Sequence, residues 1–153
     1  ELDGRIFWMG AKDFFSFDGS VQSLPCTVRR YVFDDFNFEQ KEKVYAGTNQ
    51  EFREVTWLYP SANSVECDKY VTYNPVENYW TFGTTIFTTW EDKEVFQNVI
   101  TTGREADGDN YLYTNEPEGI YTADGQKQEA FLEPAEPRPA SGLPVLIPVL
   151  IPE

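Results

Sequence analysis

The chain has 153 residues, of which 41% are apolar and 16% aromatic, and these values fit one domain with a hydrophobic core. It carries 26 acidic and 12 basic residues, a formal net charge of -14, which opposes attraction to nucleic-acid phosphates and anionic lipids. Histidine is absent, which excludes the imidazole base of most hydrolases, the imidazole ligand of metal sites and a Ser/His/Asp triad.

The N-terminal part of the chain has the pattern of a β-meander. Strands are predicted at RIFWMG (5–10), FFSF (14–17) and SVQSLP (20–25), and Asp18-Gly19 is typical of a tight hairpin turn between the last two. CTVRRYVF (26–33) also alternates and predicts a further strand. The opening ELDGRIFWMG lacks the basic start and apolar stretch of a signal peptide, and we expect the chain to be a piece of something longer.

One short helical turn is predicted over FEQKEKV (38–44). Asn37, followed three positions later by Gln40, has the spacing of a helix N-terminal cap. This is the one helix that the sequence predicts.

Four strand patterns then follow one another and predict a single antiparallel sheet. They are VYAGT (44–48), REVTWLYP (53–60), DKYVTY (68–73) and YWTF (79–82). The loop NPVEN (74–78) has turn chemistry, because the Asn74 side chain can bond its own backbone and Pro75 presets φ. Trp80 is expected to return on the next strand and cover Tyr73 or its neighbour.

The meander continues in TIFTTW (85–90), VFQNVITT (95–102) and DNYLYT (109–114), and Ala123-Asp124-Gly125 leads to a last strand at KQEAFL (127–132). DGDN (107–110) places two carboxylates and an amide in one turn. It lacks the spaced third acid and closing Glu of a calcium loop, so a hairpin turn is favoured over a cation site.

An aromatic alternation that runs into an Asp or Asn turn occurs three times, in FFSFDG (14–19), YVTYNP (70–75) and YLYTNE (111–116). The copies start about 56 and then about 40 residues apart. This spacing favours propeller blades over sandwich strands, because a blade is a four-stranded meander whose faces only neighbouring blades can cover. The predicted fold is therefore all-β, with antiparallel, propeller-like blades in an incomplete ring.

Proline and small residues dominate from EPAEPRPASG (133–142) onward, and the chain ends in GLPVLIPVLIPE (142–153). We therefore predict a β-rich domain over 1–132 and an extended Pro-rich arm over 133–153. The prolines forbid a long helix, and the apolar runs are too short for a membrane span. The arm could lie on its own domain or dock on a neighbouring subunit.

No residue is singled out as catalytic, cofactor-binding or metal-binding, and no cofactor is implied. Asp34-Asp35 could supply the paired carboxylates of a glycosidase, but 26 acids make chance pairs common. Cys26 and Cys67 are expected to be buried free thiols. Ten aromatic rings could stack on sugars or bases, although alternation favours core packing: Trp8, Phe15, Phe17, Trp57, Tyr59, Tyr70, Tyr73, Tyr79, Trp80 and Phe82.

Five sequence blocks, in order and with similar spacing, carry a resemblance to known proteins over residues 5–132. They are FWMGAKDFFSFDG, VQSLPCTVRRYVFDDFN, AGTNQEFREVTWLYPSA, DKYVTYNPVENYWTFGTTIFTTW and DGDNYLYTNE. Together they resemble large virion proteins of short-tailed bacteriophages that carry propeller-like regions and act as nozzle or tail-tube components. Members of that group are much longer, and the resemblance does not extend past Glu133.

The resemblance implies a noncatalytic structural component of a bacteriophage virion, made in the bacterial host cytoplasm. Its partners would be other virion subunits, in a homo-oligomer or larger assembly, and DNA would be passing cargo beside an acidic wall. Two alternatives remain: a carbohydrate-binding β-domain of a larger surface protein, and a glycosidase. The first predicts at least two coplanar exposed rings beside Asp or Asn side chains, and the second predicts two facing carboxylates in a cleft.

Overall fold

A computed structural model of the chain describes residues 1–93, 96–104 and 108–115, and the backbone of 122–123 and 126–127. The chain divides into two compact units, Glu1–Glu118 and Gly119–Glu153. In the second unit the described backbone forms one antiparallel pair, Thr122–Ala123 with Gln126–Lys127. Lys127 thus lies in a strand as predicted, whereas the rest of the predicted strand to Leu132 and the arm 133–153 lie outside the described residues.

The first unit consists mainly of antiparallel β-sheet, which confirms the all-β prediction. Its strands are β1 (Ile6–Met9), β2 (Phe14–Phe17), β3 (Val21–Ser23), β4 (Tyr45–Asn49), β5 (Glu54–Tyr59), β6 (Lys69–Asn74), β7 (Tyr79–Thr84), β8 (Phe87–Glu91), β9 (Ile100–Arg104) and β10 (Asn110–Thr114). They form a first sheet β1-β2-β3, a second sheet β4-β5-β6-β7 and a third sheet β8-β9-β10. Each sheet is a meander in chain order, and the second is the four-stranded sheet that the sequence predicts.

The strand predicted at 26–33 is wrong, because Arg29–Phe33 forms a single turn of α-helix, α1. A strand would place Arg30 on the same face as the apolar residues two positions away. The helix instead puts Val28 and Val32 on one face, where Val32 is fully buried, and leaves Arg29 and Arg30 exposed.

The helical turn predicted after Asn37 is confirmed as a 3-10 helix at Phe38–Lys43. The Asn37 side-chain oxygen accepts a hydrogen bond from the Glu39 backbone N–H at 3.0 Å, which satisfies one of the unpaired donors at the helix start. The strand predicted at 95–102 begins only at Ile100, and Phe96 is exposed.

The main hydrophobic core lies between the first and second sheets. Phe14 on β2 is fully buried, and its ring centroid lies 4.9 Å from that of Trp57 and 4.8 Å from that of Trp80. The second sheet contributes the face that carries Val55, Trp57, Tyr59, Val71 and Tyr73, all buried. This aromatic layer fixes the position of the first sheet.

The opposite face of the second sheet is also buried, and its contacts are more polar. A Cβ on Gly47 would lie 2.0 Å from Cδ1 of Trp90, so the Trp90 ring of β8 lies directly against the β4 backbone. Thr101, the cross-strand partner of Trp90, is fully buried, and Thr56 and Thr72 share a buried hydroxyl hydrogen bond of 2.8 Å. The second sheet is therefore a middle layer, which explains why β5 and β6 are buried almost continuously.

Candidate functional site

The aromatic rings named from the sequence divide into packed and exposed groups. Trp57, Tyr59 and Tyr73 are buried, and Trp8, Phe15, Tyr70 and Trp80 are half-buried. Phe17, Tyr79 and Phe82 are exposed. Core packing is thus the main role of the set, and the exposed members mark the surfaces on which a ligand or partner could bind.

The loop between β6 and β7 has the chemistry that the sequence predicts. The Asn74 side-chain oxygen accepts hydrogen bonds from the backbone N–H groups of Val76 and Glu77, both at 2.9 Å. Its amide nitrogen donates to the Phe52 carbonyl oxygen at 3.0 Å, which ties this loop to the β4–β5 loop. The left-handed φ of 54° at Asn78 closes the turn.

Tyr79 and Trp80 lie on opposite faces of β7 and differ in burial. Trp80 faces the core and donates its indole N–H to the Pro25 carbonyl oxygen at 2.9 Å. Tyr79 is exposed, and its hydroxyl donates to Glu54 at 2.8 Å. This hydrogen bond to Glu54 is the main cause that raises the pKa of Tyr79.

An exposed aromatic pair lies where α1 meets β7. The ring centroids of Tyr31 and Phe82 are 4.1 Å apart, and both residues are exposed. The Lys69 amino group lies 5.0 Å from the Tyr31 ring centroid and donates to Asp35 at 2.5 Å. The hydrogen bond to Asp35 raises the pKa of Lys69. The planes of Tyr31 and Phe82 are inclined by 40°, so this pair is not the coplanar platform that the carbohydrate hypothesis predicts.

The outer face of the first sheet carries an exposed apolar row. Ile6, Phe17 and Val21 are directly opposite one another on the three strands and are 50%, 40% and 64% exposed. The next row inward pairs Trp8 with Phe15, whose rings stack at 5.5 Å. A contiguous apolar face of this kind is a typical interaction surface.

A cavity of about 280 Å³ opens beside β4, where this strand meets β8. Its lining includes Val55 and Trp90 and the acidic residues Glu1, Glu91 and Asp92. The Asp92 carboxylate accepts a hydrogen bond from the Thr48 hydroxyl at 2.7 Å, and Trp90 donates its indole N–H to the Thr48 carbonyl oxygen, also at 2.7 Å. The edge where β4 meets β8 is therefore acidic.

Five of the ten Lys and Arg residues whose side chains are described form ion pairs with acids, which weakens their attraction for phosphate. The pairs are Arg29–Asp13, Lys43–Glu66, Arg53–Asp3, Lys69–Asp35 and Lys93–Glu51. Asp35, which the glycosidase hypothesis invokes, thus lies beside the Lys69 ammonium group. Within the described ranges, no three His, Cys, Asp or Glu side chains converge as a metal site would require.

Both cysteines are free thiols, as predicted; the predicted burial is confirmed for Cys67, whereas Cys26 is only half-buried. Desolvation raises the pKa of each to about 11. The Cys67 thiol also donates to the Lys43 carbonyl oxygen at 3.1 Å. Both groups are therefore weak nucleophiles at neutral pH.

The DGDN turn is described from Gly108 onward. Gly108 has a φ of 92°, which favours glycine, and its carbonyl oxygen accepts a hydrogen bond from Nε of Arg104 at 3.0 Å. Arg104 is paired with Asn110 across β9 and β10, as in a hairpin. Asp107 lies outside the described residues.

Among the described residues, no helix is both long and apolar enough to cross a bilayer. No protein-family model matches the sequence, and no curated protein matches it significantly.

Proposed function

We propose that the chain is a noncatalytic structural component of a bacteriophage virion, located in the tail or nozzle assembly. In this proposal the three sheets are blades of a propeller-like ring, which other subunits complete. The observation that carries it is the layering of the first unit. The second sheet is covered on both faces, whereas the first sheet leaves Ile6, Phe17 and Val21 exposed on its outer face. A blade at the end of an unclosed stack has this property.

The order of strands within the sheets also supports blades. In a propeller, the first strand of each blade lies near the centre of the ring and the last strand lies at the periphery. Here β4 and β8, the first strands of two consecutive sheets, are in contact through Gly47 and Trp90. The last strands of the first and second sheets, β3 and β7, are largely exposed.

The charge distribution supports a role beside DNA. Glu1, Glu91 and Asp92 lie at the edge where β4 meets β8, which would face the channel of a ring. With a formal net charge of -14, such a wall repels phosphates and lets DNA pass without binding. The Pro-rich arm at 133–153 would dock on a neighbouring subunit, because an exposed apolar tail otherwise promotes aggregation.

Labelling of purified phage particles with antibodies against residues 1–115 tests this proposal. We expect antibody at the tail in electron micrographs and the chain, or a longer protein that contains it, among the proteins of the purified particle. A protein present in infected cells but absent from purified particles would overturn it.

The alternative of a carbohydrate-binding β-domain rests on one observation, the exposed Tyr31–Phe82 pair beside Lys69 and Asp35, although the planes of the two rings are inclined by 40° and are not coplanar. Aromatic rings beside polar side chains stack on sugar rings. Titration with oligosaccharides would show binding that Tyr31→Ala abolishes and Tyr111→Ala, at another exposed tyrosine, leaves unchanged. The virion proposal predicts no saturable binding in this titration.

A further inference from the structure

Strand β7 is the outer edge of the second sheet, and within the described residues its outer side pairs with no other strand. Its six residues, Tyr79–Thr84, pair with β6 in an uninterrupted antiparallel register. No other described strand pairs with β7. As in any edge strand, alternate residues of β7 direct their N–H and C=O groups away from the sheet.

This edge lacks the features that usually prevent strand pairing. Natural edge strands are protected by lysines, prolines, bulges or short length. Residues 78–90 contain no charged residue and no proline, in a chain where 25% of the residues are charged. The β6–β7 register has no bulge, whereas the β8–β9 register does. Edge strand β3, by comparison, has only three residues.

We propose that β7 pairs antiparallel with β7 of a second copy of this chain, so that one continuous sheet runs through both copies. Antiparallel pairing of identical strands is compatible with a two-fold axis, which makes the surface complementary to itself. The absence of charge decides in favour of a second copy. Two chains of formal charge -14 repel each other, and β7 lets them meet without like charges directly opposite.

The exposed side chains of the strand are suited to this pairing. Tyr79, Thr81, Phe82 and Thr84 are all exposed, and aromatic and β-branched residues form favourable cross-strand pairs. The core-facing Trp80 is held by Pro25, so the strand is fixed before a partner arrives. Such preorganisation lowers the entropic cost of association. This proposal is independent of a virion role, because it rests only on the properties of β7.

The test compares the wild-type chain with Thr81→Lys, which places a charge on the free edge. Gln22→Lys is the matched control, because Gln22 is an exposed position on edge strand β3 and the substitution adds the same charge. Sedimentation velocity over a concentration series at moderate salt gives the dimer dissociation constant. We expect a wild-type dimer, a dissociation constant at least about tenfold weaker in Thr81→Lys, and an unchanged constant in Gln22→Lys. Circular dichroism verifies that each variant folds, and Thr84→Lys replaces Thr81→Lys if the latter does not.

Hydrogen exchange provides a second readout that does not depend on a variant. The amides of β7 in the wild-type chain should gain protection as concentration rises, while those of β3 should not. A wild-type chain that stays monomeric at all concentrations overturns the proposal. So does a dimer that Thr81→Lys leaves intact, or one that both lysine substitutions weaken equally.

Discussion

Trp80 stacks on Tyr73 across the β6–β7 pair, with ring centroids 4.5 Å apart and planes inclined by 27°. The same indole ring lies 4.8 Å from Phe14 of the first sheet and 6.1 Å from Trp57 of β5, the next strand but one in the second sheet. Trp80 therefore joins the hairpin to the core between two sheets, although it lies on an edge strand.

Replacement of Trp80 by alanine should destabilise the fold by about 2–3 kcal/mol, because a half-buried indole loses its ring contacts and the cavity only partly closes. Urea unfolding followed by far-UV circular dichroism measures the change. Val76→Ala is the control, since Val76 is 66% exposed in the adjacent loop and should cost less than about 0.5 kcal/mol. Equal effects of the two substitutions would contradict the anchoring role of Trp80.

The Tyr73–Trp80 contact was predictable from sequence because it is local. The loop NPVEN limits how the two strands can pair, and cross-strand neighbours follow once the register is set. The contact of Trp90 with Gly47 was not predictable in the same way. These residues lie on different sheets, and no periodicity in either strand indicates which backbone a distant indole will meet.

The error at 26–33 has a physical cause as well. Val28, Arg30 and Val32 are spaced two residues apart, which is the spacing of one face of a strand. Over so few positions, however, the same residues also fit one helical turn with Val28 and Val32 on the same face. The burial of Val32 favours the helix over the strand, because only the helix buries Val32 and keeps Arg30 exposed. Sequence reasoning also missed the Tyr31–Phe82 pair, since Tyr31 was assigned to a strand and could not be placed beside β7.

Gly47→Ala tests the contact between the second and third sheets. The new methyl group would lie within 2.0 Å of the Trp90 ring, so the ring must move and β8 must separate from β4. We expect a loss of about 2 kcal/mol or more in the free energy of unfolding. In the Trp90→Ala background the same substitution should cost much less, because the obstructing ring is gone. A double-mutant cycle measured by chemical denaturation gives this coupling directly, and additive effects would show that the ring does not lie on Gly47.

Asn74→Ala should destabilise the chain by about 2–3 kcal/mol. It removes the acceptor of the Val76 and Glu77 N–H groups and the donor to the Phe52 carbonyl oxygen at a buried position. Asn74→Asp separates the two functions, because a carboxylate keeps the acceptor but places negative charge against the Phe52 carbonyl oxygen. Thermal unfolding should show a lower melting temperature for Asn74→Ala and for Asn74→Asp than for the wild-type chain. If Asn74→Asp leaves the melting temperature unchanged, the hydrogen bond to the Phe52 carbonyl oxygen contributes nothing to stability.

Tyr59→Phe should be neutral or stabilising, by up to about 1 kcal/mol, although Tyr59 is fully buried. Its hydroxyl has no hydrogen-bond partner among the described residues, and burial raises its pKa. Tyr73→Phe is the matched control, because the Tyr73 hydroxyl donates to the Asn78 side chain at 3.1 Å and its loss leaves an acceptor unpaired. Chemical denaturation should therefore show that the Tyr59→Phe variant is more stable than the Tyr73→Phe variant. The reverse order would contradict the conclusion that the Tyr59 hydroxyl is buried without a hydrogen-bond partner.

Stability should fall as pH rises from about 9 to 11, in part because of Cys67. Burial raises the pKa of this thiol from 9.0 to about 11 in the folded chain, so the unfolded chain loses its proton first. The neutral thiol thus contributes fully below pH 9, and its contribution declines as pH rises through the folded pKa, by up to about 2 kcal/mol after allowance for solvent screening. Cys67→Ser removes this titration while keeping a donor to the Lys43 carbonyl oxygen. Urea unfolding at intervals from pH 7 to 11 should give a shallower decline for Cys67→Ser than for the wild-type chain. Parallel pH profiles would show that the thiol ionises as freely in the folded chain as in the unfolded one.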